Sequence, residues 1–169
     1  ETGGGTARQN QCSKSQCGIV VGNQAQPTLE ANLCNDNEIA GIWYVEDGGG
    51  VARGNECSRN TTGIDVQDSA QPTLEENACN DNELAGVFWE DDARGAARRN
   101  VCLRNRSGIY VDGRAQPTLE ENTCNENLWS GISYGENGTG IALRNDCSRN
   151  TLGIEVGGEA QPTLEENVC

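Results

Sequence analysis

Apolar residues recur along this chain in short runs in which every second position is hydrophobic. Runs of the form Gly-Ile-x-Val, Ala-x-Pro-x-Leu and Asn-x-Cys follow one another in a fixed order, each bounded by Gly or Asn. Alternation at period two is typical of β-strands with one buried face, and Gly and Asn favour turns. The pattern therefore predicts many short strands separated by turns.

These runs repeat every 22 or 23 residues, and a longer segment recurs in four similar copies spaced 45 residues apart, ending at Cys34, Cys79, Cys124 and Cys169. A unit of this length cannot bury a hydrophobic face alone, but it can when it is stacked on its neighbours. We interpret each unit as one coil of a parallel β-helix. The sequence thus predicts an all-β solenoid of about seven 22/23-residue coils with three parallel sheets.

Inward side chains of stacked coils should form columns with about 4.8 Å between coils. Two of the predicted columns alternate in size, so that Val accompanies Leu and an aromatic residue accompanies Ala. Close packing favours such a constant volume per layer. The columns are Val21, Tyr44, Val66, Trp89, Val111, Tyr134 and Val156, and Ala7, Leu29, Ala52, Leu74, Ala97, Leu119, Ala142 and Leu164.

Asparagine and cysteine each recur once per coil in the Asn-x-Cys run. Asn tolerates turn conformations, and its amide can bond the same amide one coil away. We interpret the cysteines as a reduced ladder in the core, with disulfides or metal binding as alternatives. The predicted ladders are Asn32, Asn55, Asn77, Asn100, Asn122 and Asn145, and Cys12, Cys34, Cys57, Cys79, Cys102, Cys124, Cys147 and Cys169.

Outward charges alternate in sign from coil to coil. The column that begins at Lys14 alternates without exception, and the column that begins at Arg8 is broken only at Leu143. Opposite charges on adjacent strands stabilise a sheet and like charges repel. Each exposed pair contributes only about 0–1 kcal/mol.

The run Pro27–Tyr44, which reads Pro-Thr-Leu-x-x-Asn-x-Cys-x-x-Asn-x-x-x-Gly-Ile-x-Tyr, resembles the repeat of the pectate-lyase-like superfamily. The likeness extends from about Thr6 to Cys169 and implies a right-handed parallel β-helix, in accord with the usual hand of parallel crossovers. Members of that superfamily include polysaccharide lyases, hydrolases, epimerases, adhesins and non-catalytic repeat domains. Its enzymes use the outer surface of the Gly-Ile sheet as a substrate groove.

Aromatic residues occupy three outward positions on the predicted Gly-Ile strands, namely Trp43, Phe88 and Tyr110. On the surface that the resemblance identifies as a groove, these rings could stack on sugar rings. The alternatives are the general preference of strands for aromatic residues, or a contact with a flanking domain.

Acidic residues follow the same strands, and their oxygens make them weak calcium candidates. They are Glu46, Asp47, Glu90, Asp91 and Asp92. No loop matches a calcium motif, and solvated turns give the same pattern, so we predict no metal and no cofactor. Sequons at Asn60, Asn105 and Asn137 are candidate glycosylation sites, although folding would hide the first two in a predicted asparagine ladder.

The composition limits the partners and the chemistry. A net charge of −14 and a pI near 4.3 argue against nucleic acid, and no apolar run is long enough to span a membrane. Acids and bases are spread along ladders, whereas catalysis needs them to converge. We therefore predict a non-catalytic repeat domain that acts as a rigid scaffold or interaction surface for a protein or glycan. The alternative is a carbohydrate-binding or polysaccharide-processing domain.

The first three residues, Glu1-Thr2-Gly3, are typical of a secretion vector. Residues 4–169 are expected to form one β-helix domain, as a fragment of a longer natural or designed array. Its terminal coils are expected to be able to stack end to end between molecules. An extracellular or cell-surface location is favoured.

Overall fold

The computed structural model describes residues 3–169, so the predicted vector residues Glu1 and Thr2 lie outside the described part. The described residues form strands and turns, and they include no helix that could cross a membrane. The strands, in chain order, are β1 (Thr6–Arg8), β2 (Cys17–Val21), β3 (Thr28–Glu30), β4 (Ala40–Tyr44), β5 (Val51–Arg53), β6 (Thr62–Val66), β7 (Thr73–Glu75), β8 (Ala85–Trp89), β9 (Arg94–Arg98), β10 (Ser107–Val111), β11 (Gln116–Glu120), β12 (Ser130–Tyr134), β13 (Ile141–Leu143), β14 (Leu152–Val156) and β15 (Thr163–Glu165).

Consecutive strands belong to different sheets. The odd-numbered strands form an eight-stranded sheet, here sheet A, and the even-numbered strands form a seven-stranded sheet, here sheet B. Both sheets are parallel throughout. A third ladder joins the residue between Asn and Cys of each coil by single parallel bridges, from Gln11↔Leu33 to Asp146↔Val168. The predicted parallel β-helix is confirmed. In place of a third sheet of full strands, each coil contributes a single bridged residue to the third ladder.

The register of the sheets aligns the predicted core columns. Leu74 pairs with Ala97 in sheet A, and Val66 pairs with Trp89 in sheet B. All four side chains are fully buried. Burying a large apolar side chain stabilises the fold by about 1.5–3 kcal/mol. The alternation of large and small residues therefore fills the interior at nearly constant volume per layer.

Buried asparagine amides join each coil to the next. The backbone N–H and the Nδ2 of Asn77 donate to Oδ1 of Asn100 at 3.0 and 2.9 Å, and Nδ2 also donates to the carbonyl oxygen of Ala52 at 2.9 Å. The same bonds recur at Asn32, Asn55, Asn100, Asn122 and Asn145. The predicted asparagine ladder is confirmed.

A second asparagine column, from Asn37 to Asn127, repeats this arrangement three residues after the cysteines. Its Nδ2 groups donate to cysteine carbonyl oxygens, as Asn105 does to Cys79 at 3.0 Å. The two columns satisfy backbone groups at two different corners of every coil, where an unpaired polar group would be costly.

The cysteine column runs through the core as predicted. Its members from Cys34 to Cys147 are at most 1% exposed, and all nine cysteines are free thiols. The neighbouring Cys57 thiol, followed by burial, raises the pKa of Cys34 well above its ordinary value. The residues beside this column are glycines because there is no room for a side chain. A Cβ at Gly86 would lie 2.7 Å from the carbonyl oxygen of Gly108 and 2.8 Å from Cβ of Cys102, which is too close for either contact.

The outward charges pair between coils as the alternation predicts. Arg59 and Asp36 approach to 2.9 Å, and Arg104 and Asp81 approach to 2.8 Å. Where Leu143 interrupts the second column, the next residue, Arg144, reaches the carboxylate of Glu120 instead. At this coil the cation therefore comes from the residue after the column position, and Glu120 still has an arginine of the next coil as its partner.

Replacing Asn77 by alanine should lower the free energy of unfolding by about 2–5 kcal/mol, because it leaves the N–H of Asn55 and the carbonyl of Ala52 buried without these partners. Urea denaturation followed by circular dichroism measures the change. Asn137→Ala is the matched control, since Asn137 is exposed in a turn and should cost little. Equal stability of the two variants would show that the ladder does not hold the coils together.

Candidate functional site

The outward positions of sheet B form a row with one residue per coil, here the outer row. Strand register aligns these residues directly. In chain order they are Val20, Trp43, Asp65, Phe88, Tyr110, Ser133 and Glu155. Unlike the core columns, this row does not repeat from coil to coil. The three aromatic residues singled out from the sequence all lie in it, and their role in binding stays a prediction.

Two of these aromatic rings form a fixed stack. The ring centroids of Phe88 and Tyr110 are 4.9 Å apart and the ring planes differ by 7°. The Tyr110 hydroxyl donates to Oδ2 of Asp112 at 3.1 Å. Burial, followed by the neighbouring carboxylate of Asp112, raises the pKa of Tyr110 to about 12. Both rings are half-buried, so they present one flat apolar platform rather than freely exposed side chains.

A buried carboxyl group lies between the aromatic residues. Asp65 is 5% exposed, and its register partners are Trp43 on one side and Phe88 on the other. Gln67 Nε2 donates to Oδ2 of Asp65 at 3.2 Å, whereas Oδ1 has no partner within residues 3–169. The indole Nε1 of Trp43 is also buried without a partner in this part of the chain.

This environment changes the ionisation of Asp65. Burial, and then the nearby charge of Glu90, raises the pKa of Asp65 from its ordinary value of 3.8 to about 7. Asp65 is not among the site residues predicted from the sequence. Its only signal there was an acidic residue at a strand position that is apolar or aromatic in neighbouring coils.

A cleft of about 300 Å³ adjoins the outer row beyond Tyr110. We name it the Arg106 cleft, and its principal lining residues are Leu84, Arg106, Tyr110, Trp129, Ser133 and Glu155. Oε2 of Glu155 accepts hydrogen bonds from Nε1 of Trp129 and from Oγ of Ser133, each at 3.0 Å. Trp129 is not among the site residues predicted from the sequence, because its neighbours in the cleft come from three further coils.

A protein-family profile described as "Periplasmic copper-binding protein (NosD)" matches residues 1–127, which is more than half of the chain. The chain belongs to the NosD family. No curated protein matches its sequence. The family assignment agrees with the parallel β-helix that the resemblance implied.

Two solved structures are similar to this NosD-family chain. A mutant of the periplasmic alginate epimerase AlgG matches with a TM-score of 0.67 and 16% identity, over 96% of this chain and 49% of the epimerase chain. Another AlgG structure matches with a TM-score of 0.59 and 17% identity, over 96% of this chain and 39% of the other. The chain thus spans less than half of either epimerase chain, and at this identity the likeness shows the fold alone.

The acidic residues that follow sheet B are used in turns and ion pairs. Oε2 of Glu46 accepts the backbone N–H of Asn23 at 2.7 Å, and Asp92 pairs with Arg114. Oδ2 of Asp91 accepts the N–H of Asp68 at 3.3 Å. Asp47 is exposed, and burial followed by the charge of Asp91 raises the pKa of Glu90. Within residues 3–169, no three His, Cys, Asp or Glu side chains form a group that could hold a metal ion.

The sequons differ in accessibility. Asn60 and Asn105 are 2% and 0% exposed, and their Nδ2 groups donate to the carbonyl oxygens of Cys34 and Cys79. Their amides are therefore occupied in the folded chain, as the ladder predicted. Asn137 is exposed in the turn between β12 and β13, so it is the sequon that a folded chain presents. Glycosylation of Asn137 stays a prediction.

Asp65→Asn should raise the free energy of unfolding at pH 8 but not at pH 4. Because the pKa of folded Asp65 is about 7, above its ordinary 3.8, the protonated form favours the fold. That stabilisation is fully present below about pH 4 and is lost as the pH rises through about 7, by up to about 4 kcal/mol. Thermal and urea denaturation across this range measure it.

The control for this prediction is Asp47→Asn, which removes an exposed carboxylate at the edge of the same sheet. It should leave the pH dependence of stability close to that of the parent chain. If the free energy of unfolding of the parent and of Asp65→Asn changed with pH in the same way, the ionisation of Asp65 would not contribute to stability and the prediction would be wrong.

Proposed function

We propose that this chain is a rigid β-helix domain that serves as a scaffold or interaction surface and does not itself catalyse a reaction. The observation that carries the proposal is the continuity of the asparagine ladder, whose hydrogen bonds join every coil to the next. At about 4.8 Å per coil, sheet A extends over roughly 34 Å. Coils joined in this way hold their outward side chains at a fixed spacing along the stack. Such a regular row can contact an extended partner at several points.

The distribution of charged groups supports binding rather than catalysis. Acid–base catalysis requires titratable groups that reach a substrate. The outward arginines are largely engaged in ion pairs between coils, such as Arg149 with Glu126 at 3.0 Å. Asp65 has a pKa near neutrality, but only 5% of it is exposed.

We expect no turnover when the purified chain is incubated with neutral and acidic polysaccharides. Reducing-end release and absorbance at the wavelength of unsaturated uronates measure hydrolysis and elimination, and proton NMR detects epimerisation. Asp65→Asn serves as the matched variant, because Asp65 is the carboxyl group with the pKa best suited to proton transfer. Turnover by the parent chain that is lost in Asp65→Asn would contradict the non-catalytic assignment.

A second candidate function is carbohydrate binding on the outer face of sheet B. The observation that favours it is the Phe88–Tyr110 platform beside the Arg106 cleft. Flat aromatic rings with polar groups at their edges suit the apolar faces and hydroxyl rims of sugars. The epimerase structures of similar fold come from proteins named for a polysaccharide, which adds support to this candidate.

A glycan-array screen tests the second candidate. Binding by the parent chain should be lost in Trp43→Ala/Phe88→Ala, because Phe88 supports the stacked Tyr110 and Trp43 lies in the same row. Val20→Ala is the control, since it removes an exposed side chain, 54% accessible, from the same row without an aromatic ring. Equal binding by all three proteins would place any glycan contact elsewhere.

Copper binding, which the family description names, does not fit the residues of this chain. The sequence contains no His and no Met. The cysteines from Cys34 to Cys147 are stacked along the core, so each thiol has neighbours above and below instead of ligands around one point. Soft-metal sites need two or more ligands that converge on the metal. We therefore do not extend copper binding to this domain.

A location outside the cytoplasm is part of this proposal. The family description and the names of both epimerase structures include the word periplasmic. An exposed sequon at Asn137 and a net charge of −14 are also suited to an extracellular surface.

A further inference from the structure

The Arg106 cleft contains a cation that the rest of the fold does not use. Arg106 is exposed, and within residues 3–169 no carboxylate lies within ion-pair distance of it. Other outward arginines, such as Arg104 in the same coil and Arg149, are each paired with an acid of the adjacent coil. A planar guanidinium of this kind binds carboxylate or sulfate groups through two parallel hydrogen bonds.

The same cleft contains a positioned hydrogen-bond acceptor, the carboxylate of Glu155. Oε2 of Glu155 accepts hydrogen bonds from both Trp129 Nε1 and Ser133 Oγ. These two bonds fix the position of the carboxylate and of the edge of the indole ring. Its other oxygen, Oε1, accepts no hydrogen bond from residues 3–169 and remains free for a hydroxyl donor.

Two aromatic side chains, Tyr110 and Trp129, also line the cleft. The Tyr110 ring is held by its stack on Phe88 and by Asp112, and Trp129 is 48% exposed. A volume of about 300 Å³ lies at the small end of ligand sites, which suits one ring of a polymer rather than several. The cleft therefore combines a cation, an apolar wall and a hydroxyl acceptor around the space of one sugar.

We propose that the Arg106 cleft binds one anionic sugar unit of a glycan, with the carboxylate or sulfate of the sugar on Arg106 and a ring hydroxyl on Glu155. The proposal rests on the second function above, since the cleft adjoins the same outer row. The net charge of −14 repels anionic polymers at a distance, but salt screens this repulsion beyond about 8 Å at physiological ionic strength. The attraction between Arg106 and the anionic group of the sugar therefore operates at short range, after the glycan has reached the cleft.

The test is titration calorimetry of the full chain with three matched glucose-based oligosaccharides, one neutral, one oxidised to uronates and one sulfated. The charged probes should bind more tightly than the neutral probe, and the preferred one identifies the anionic group. Arg106→Gln should weaken binding of the preferred probe by about tenfold to a hundredfold while leaving neutral binding nearly unchanged. Trp129→Phe should weaken all probes, because the indole contact with Glu155 is lost.

Arg94→Gln is the matched control, because Arg94 is another exposed arginine but lies in β9 of sheet A. Equal losses in Arg94→Gln and Arg106→Gln would reveal a general charge effect and overturn the proposal. Binding of all three probes that depends on Phe88 but not on Arg106 would overturn the anionic subsite and leave the glycan function intact. Failure of every probe to bind the parent chain would overturn both. Circular dichroism and melting temperature confirm that each variant is folded.

Discussion

Hydrogen bonding between coils is the constraint on which this structure depends. Every coil must satisfy its corner backbone groups with the next coil, and the two asparagine columns do this with buried amides. Because each amide contacts both of its neighbours, as Asn77 contacts Asn55 and Asn100, the coils cannot move independently. The same requirement explains why Asn returns at an almost invariant interval along the chain.

The core and the outer charges follow the period that these ladders impose. Leu74 on Ala97 and Val66 beneath Trp89 keep the volume of the layers nearly constant. Outside, Arg104 with Asp81 pairs neighbouring coils in the same register. A slip by one coil would place like charges together and large side chains on large ones, so packing and electrostatics select one alignment.

Function is expected where the repeat is free to vary. The outer row of sheet B contributes little to the core, and its residues change from coil to coil. It holds the Phe88–Tyr110 platform, the buried Asp65 and one side of the Arg106 cleft. A regular scaffold therefore carries an irregular surface, and that irregularity is the physical basis for proposing selective contact with a glycan.

The repeat pattern was enough to predict the solenoid, the register of its coils, the asparagine and cysteine columns and the positions of Trp43, Phe88 and Tyr110 in one row. It could do so because each is a local pattern repeated at a fixed interval, which the stacking converts directly into contacts. Three features became visible only in the folded chain: Phe88 stacks on Tyr110, Asp65 is buried, and Arg106 and Glu155 line one cleft. These contacts join single, non-repeated side chains from different coils, and their rotamers and mutual burial leave no periodic signal in the sequence.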